Sequence, residues 1–132
     1  MAEGEGRRYD QAGLEAVDRQ VLRALDFAYP GSDTWVEYAD PEFTSVCPWT
    51  GLPDFGELVI RYLPDRKLVE LKSLKYYLHS YRNVGVLQEH AVNAVLEDLV
   101  RLLAPRRMEV EGRFRPRGGL STVVTARYPA ET

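Results

Sequence analysis

The tightest constraint on this fold is an apolar stripe in the last third of the chain. At 100° per residue, Val92, Val95, Leu96, Leu99, Leu102 and Leu103 fall on one face of a helix over 86–103, which Ala104-Pro105 stops. A one-sided helix needs an apolar surface to lie on, and the flanking sequence offers strands. Residues 33–38 are rich in Thr, Trp, Val and Tyr. Residues 55–63 and 67–71 read as a hairpin around Pro64-Asp65-Arg66, and 106–114 and 120–128 read as two strands joined at Arg115-Pro116-Arg117-Gly118-Gly119. A second helix is expected over 73–81, with Leu74, Tyr77, Leu78 and Tyr81 on one face and Asn83-Val84-Gly85 as its end. The spacing of Leu14, Val17, Val21, Leu22 and Leu25 predicts a further short helix within 14–27, stopped by Tyr29-Pro30-Gly31. Residues 1–12 are small and charged and read as a disordered tail, which leaves 13–132 as a single domain.

With 132 residues, the chain can bury a real core but is short for an enzyme that encloses its whole site, so an oligomer is expected. A net charge of −3 argues against long-range attraction to nucleic acid or anionic membrane. No apolar run reaches the length of a membrane span. The N-terminal MAEGEGRRYD lacks the apolar core of a signal peptide, and one cysteine cannot form an internal disulfide. These features predict a cytoplasmic location.

That cysteine, Cys47, sits in a loop expected over 40–54, stiffened by Pro41, Pro48 and Pro53 and turned at Gly51. Asp54 follows it by seven residues. A lone cysteine is commonly an inert core residue, and a turn aspartate is commonly a cap. A thiolate and a proton donor on one stiff loop also suit covalent chemistry. Lys72 and Lys75 can be a solvated helix face or two point charges that hold phosphates. Arg117-Gly118-Gly119 is either a plain hairpin turn or a phosphate clasp. No Gly-x-Gly-x-x-Gly is present, so a dinucleotide would not be held in the Rossmann manner. His79 and His90 do not suggest a metal site with Cys47, and none is expected. On the helical wheel Gln88 lies within the apolar stripe, Glu89 on its shoulder and His90 opposite.

The segments Glu42-Phe43-Thr44-Ser45-Val46-Cys47-Pro48, Thr50-Gly51 to Pro53-Asp54, and Glu70-Leu71-Lys72-Ser73-Leu74-Lys75-Tyr76-Tyr77 resemble the NADPH-dependent 7-cyano-7-deazaguanine (preQ0) reductases of queuosine biosynthesis. The Glu-x-Lys-Ser-x-Lys run is that family's signature, and Ser80-Tyr81-Arg82-Asn83 and 89–93 continue the match. The resemblance covers about residue 33 to the C-terminus and implies an α+β tunnelling fold, related to GTP cyclohydrolase I. Such a fold has a four-stranded antiparallel sheet and two antiparallel helices, with subunits joining into barrels. Short members stack two pentamers into a decamer with sites between subunits.

The resemblance further implies reduction of the substrate nitrile to a primary amine with two NADPH. Cys47 would form a thioimide with the nitrile carbon and Asp54 would protonate the nitrogen. Val69, Glu70, Leu71, Gln88 and Glu89 would bind the base, with Glu89 on its guanine-like edge. Lys72, Ser73, Lys75, Arg117 and Gly118 would meet NADPH. The family usually carries His-Glu where this chain has Gln88-Glu89, and Gln88 does not titrate. Binding is therefore expected to survive, with an altered rate or pH dependence. The rival readings are the archaeal sibling that adds ammonia to the same nitrile without NADPH, and a non-catalytic module for a purine or tRNA.

Overall fold

The structure is a computed structural model, and it describes residues 9–130. Its main sheet has four antiparallel strands in the order β2 (Val36–Val46), β3 (Pro53–Leu63), β5 (Arg107–Arg117) and β6 (Leu120–Tyr128). The register pairs Leu58 with Gly112, Ile60 with Val110 and Tyr62 with Met108. Period-2 alternation therefore places these side chains on one face, where all are buried. Helix α2 (Gln88–Leu103) lies along β5 and β6 and contributes Val92, Val95, Leu99 and Leu103 to the same core. Helix α1 (Leu71–His79) adds Leu74, Tyr77 and Leu78. The apolar stripe has thus found its sheet. Ala104 ends α2 in a left-handed cap with its N–H on the Val100 carbonyl, and the following proline keeps the helix from continuing.

Three expectations are corrected. The segment 14–27 is not a helix. It forms two 3-10 turns, Leu14–Ala16 and Arg19–Val21, followed by strand β1 (Ala24–Asp26). Tertiary partners take its backbone: Asp18 N–H donates to Ser80 Oγ and Arg23 N–H to Ser73 Oγ, both at 3.0 Å. Residues 67–71 do not pair back onto β3, whose two edges are occupied by β2 and β5. Instead β4 (Lys67–Val69) pairs with β1, Leu25 opposite Leu68. The long loop over 40–54 is also mostly strand. β2 runs through Pro41 by a bulge, its register jumping between Asp40 and Phe43. A proline is tolerated there because β2 is an edge strand and the bulge needs no ladder N–H.

The expected tail falls partly outside the described residues. Within them, Ala12 N–H donates to the Asn83 carbonyl at 2.8 Å, and Gly85 N–H to the Ala12 carbonyl at 2.7 Å. Residues 9–12 are therefore part of the folded body rather than a free tail.

One buried polar cluster ties this N-terminal segment to both helices. Asp98 accepts from Tyr77 Oη at 2.5 Å, Arg19 Nε at 3.0 Å and Arg101 Nη1 at 3.2 Å. Tyr77 Oη also lies 2.8 Å from Tyr81 Oη. Burial, then the neighbouring Tyr81 and Asp98, push the Tyr77 hydroxyl far above its ordinary pKa, so it remains a donor. Asp98→Ala takes the acceptor from Tyr77 and the ion-pair partner from Arg19, and should lower the unfolding free energy by about 2 kcal/mol, read from urea denaturation. Asp98→Asn keeps an acceptor and should lose less.

Candidate active site

The β2–β3 hairpin brings Cys47 and Asp54, seven residues apart in sequence, to the same end of the sheet. Ser45 pairs with Asp54 and Val46 with Pro53. The loop 47–52 then closes through Cys47 N–H on the Leu52 carbonyl at 2.9 Å and Gly51 N–H on the Cys47 carbonyl at 2.8 Å. Gly51 has φ +73°, and a Cβ there would sit 2.6 Å from the Tyr9 carbonyl oxygen. Only glycine fits this turn as it stands. From outside, Tyr9 N–H donates to the Thr50 carbonyl and Gln11 Nε2 to the Pro48 carbonyl, both at 2.8 Å. The result is a rigid loop that holds Cys47 at 4 % exposure beside Asp54 at 3 %.

Arg117, at the far end of β5, joins the two groups. Its Nη1 lies 2.9 Å from Asp54 Oδ1. The approach is off-axis, so Oδ1 has the charge nearby yet accepts no hydrogen bond. Burial pushes the Cys47 thiol up. Hydrogen bonds from the Thr50 hydroxyl, the Trp49 and Thr50 amides and the Arg117 guanidinium outweigh it, leaving the thiol below its ordinary range. Burial pushes the Asp54 carboxyl up, and Arg117 only partly offsets it, so the acid stays protonated to higher pH than usual. The two groups are thus shifted toward each other, the thiol toward thiolate and the carboxyl toward acid. That is the state a nucleophile and a proton donor need. Thr50 and the Trp49 amide were not singled out by sequence reasoning, because their role depends on how the loop folds back on the sulfur.

Other expected residues form a second group. Val69 is buried, its N–H on Tyr62 Oη at 3.1 Å, near the end of β3 remote from Asp54. Glu70 caps α1, its carboxylate accepting from Lys72 N–H at 2.6 Å and Ser73 N–H at 3.0 Å. Ser73 is buried with its hydroxyl shared between the Glu70 carbonyl and Arg23 N–H. Leu71, Lys72 and Lys75 are exposed. Leu71 and Lys75 border a cleft of about 490 Å³ between β2 and α1, with Leu74 and Leu78 in its lining and His79 and Arg82 among its polar groups. Gln88 and Glu89 belong to the first group by chain geometry. Val86 N–H donates to the Val46 carbonyl at 3.1 Å, and α2 begins two residues later. Gln88 is half-buried while Glu89 and His90 are exposed, in the order the wheel gives.

Residues 53–132 match the family of QueF-like proteins. A protein of Caldicellulosiruptor bescii described as an NADPH-dependent 7-cyano-7-deazaguanine reductase is 64% identical over 122 residues, covering 92% of this chain and 93% of that protein. This chain belongs to the QueF family. A reductase of Thermoanaerobacter pseudethanolicus with the same description is 58% identical over 125 residues, covering 95% of this chain and 94% of that protein. The crystal structure of the archaeosine synthase QueF-Like in the apo form superposes with a TM-score of 0.70 at 23% identity, covering 76% of this chain and 99% of that one. It shares the α+β architecture. Among the described residues of this QueF-family chain, no helix is long and apolar enough to cross a membrane, and no group of three His, Cys, Asp or Glu could hold a metal ion.

Arg117→Ala removes a donor to the thiolate, so the Cys47 pKa should rise. The pH at which iodoacetamide alkylates Cys47 at half its maximal rate should move upward. Gly51→Ala should slow alkylation at neutral pH by loosening the donors from Trp49 and Thr50, with the intact mass recording the modified fraction.

Proposed function

We propose that this chain reduces the nitrile of 7-cyano-7-deazaguanine to an aminomethyl group, with NADPH as reductant, in queuosine biosynthesis. The observation that carries this reading is the Cys47–Asp54–Arg117 cluster, in which a thiol shifted down and a carboxyl shifted up share one guanidinium. The description of the 64% identical relative supports it.

A nitrile carbon is a poor hydride acceptor. Addition of the Cys47 thiolate forms a C–S bond and sends one π pair to nitrogen, which takes a proton from Asp54. The product is a thioimide on Cys47, an electrophile that a hydride can reach. NADPH, when bound, would supply two hydrides per base: after the first, the carbon expels the Cys47 thiolate and leaves an imine, which the second converts to the amine. The residues present fit this cofactor: the cleft beside α1 combines an apolar lining with Lys75, His79 and Arg82, and Lys72 stands exposed on the same helix. Lys72 and Lys75 hold it from α1, and Arg117 and Gly118 from the β5–β6 turn. Ser73, expected to meet the cofactor, is buried with its hydroxyl engaged and instead fixes the first turn of α1. Glu89 accepts from the two N–H donors on the guanine-like edge of the base, and Gln88, Val69, Glu70 and Leu71 complete the pocket.

These residues require more than one subunit. Asp54 and Tyr62 are eight residues apart on β3, about 25 Å at strand rise, and Val69 hangs on Tyr62. No single base touches both ends. The site is therefore built between subunits, with β4–α1 of one protomer completing the Cys47 end of another. The edge strands β2 and β6 and exposed Trp35, Trp49, Phe55, Leu120 and Val123 supply surface for that assembly. The resemblance to the family implies that this assembly is the barrel of the tunnelling fold, two pentamers stacked into a decamer. A reactive free thiol suits the reducing cytoplasm.

The test is NADPH oxidation by absorbance on addition of 7-cyano-7-deazaguanine. Two NADPH should be consumed per base, and Cys47→Ala should abolish both consumption and the covalent mass on the protein. An adduct without NADPH consumption would point to the amidine-forming reaction instead. Because Gln88 does not titrate, Gln88→His should add an inflection near the histidine range to the pH profile of kcat.

A further inference from the structure

The hairpin carries a second polar side chain whose presence the chemistry above does not use. Ser45 is 0 % exposed, and its Oγ has no hydrogen-bond partner in the protein. The register places it directly opposite Asp54, whose Oδ1 is likewise without a hydrogen bond. These are the two orphaned buried side-chain atoms among the described residues, and they sit on paired positions of adjacent strands. Directly opposed Cβ atoms in an antiparallel ladder stand roughly 4.5–5.5 Å apart, so one side-chain rotation brings a serine hydroxyl within reach of the facing carboxylate.

A buried hydroxyl with no partner is destabilising relative to alanine, which has the same backbone preferences here and nothing to satisfy. Packing alone gives no reason for the oxygen. The chemistry of Asp54 gives one. Each time the acid hands its proton to the substrate nitrogen, a carboxylate is left in a buried place where Arg117 approaches off-axis. A carboxylate in that setting needs a well-directed donor.

We propose that Ser45 is a positioning residue for the proton donor, its hydroxyl rotating to hydrogen-bond the carboxylate left on Asp54 after proton transfer. This rests on the reading of Asp54 as the acid. The serine keeps its own proton throughout. The proton on the substrate nitrogen comes from Asp54, and Asp54 is reprotonated from solvent. Arg117, from the β5 end, is the charged group set against Asp54, and it also touches the Cys47 sulfur. Ser45 adds a neutral donor from β2, on the other side of β3 from the strand that carries Arg117.

The test uses the full chain and needs no substrate. Protonated Asp54 gives an infrared carbonyl band, assigned by its loss in Asp54→Asn, and its decay with pH reports the ionisation midpoint. Removing a donor to the ionised form disfavours it, so Ser45→Ala should raise that midpoint by about one to two pH units, a tenfold to hundredfold change, as expected for one hydrogen bond to a charged group. Ser45→Thr, which keeps the hydroxyl, should restore it. The thermal midpoint of Ser45→Ala should equal or exceed that of the parent, since an unsatisfied group is removed. With 7-cyano-7-deazaguanine and no NADPH, the Cys47 adduct should form more slowly in Ser45→Ala, because proton transfer then leaves a carboxylate that lacks a donor. An unchanged infrared midpoint in Ser45→Ala overturns the proposal. So does a fall in thermal stability with no return of the midpoint in Ser45→Thr, which would make Ser45 a packing residue. If the parent protein forms no adduct, the reductase reading fails, while the infrared midpoint still decides whether Ser45 supports the Asp54 carboxylate.

Discussion

The hydrogen bond from the Cys47 amide to the Leu52 carbonyl closes a six-residue loop, and the site depends on that closure. It fixes where the sulfur lies relative to strand β3, and so relative to Asp54. It also folds the Trp49 and Thr50 amides back toward the sulfur, which lets a buried thiol ionise at all. Burial alone would make this cysteine inert. The loop supplies donors within a few residues of chain, and Arg117 arrives from a different hairpin to add charge. Local geometry and long-range topology thus act on the same atom.

Much of this was legible in the sequence because it depends on short-range rules. The periodicity of α2 and the alternation of β3, β5 and β6 appear where expected, since each element buries one face against the others. The order Gln88, Glu89, His90 from half-buried to exposed follows from helix geometry alone. What could not be read were partnerships. The segment 14–27 has helical spacing, yet Ser73, Ser80 and Asp98 on other elements claim its backbone and Arg19. The strand after Pro64 lost its expected partner because β5, more than forty residues later, already occupies that edge of β3. Pro41 read as loop because a bulge leaves no mark in composition.

The same limit applied to the site. Cys47 and Asp54 could be picked out by type and spacing, but their shared contact with Arg117 depends on where the β5–β6 turn ends. Ser45 lay inside the matching segment and passed as a strand residue. Its significance appears only when the register sets it against Asp54 and its hydroxyl proves to be without a partner. The remaining candidates divide between the two ends of β3, Cys47, Asp54 and Arg117 at one and Val69 with the start of α1 at the other.

The N-terminal strap gives this arrangement a further meaning. Tyr9 and Gln11 bond the backbone of the loop 47–52, and Ala12 bonds the segment that leads into α2. None of these residues carries chemistry, yet they brace the loop from the side opposite its hairpin. Residues 9–12 are therefore part of the mounting of Cys47, and the setting of this sulfur depends on chain well upstream of its own hairpin.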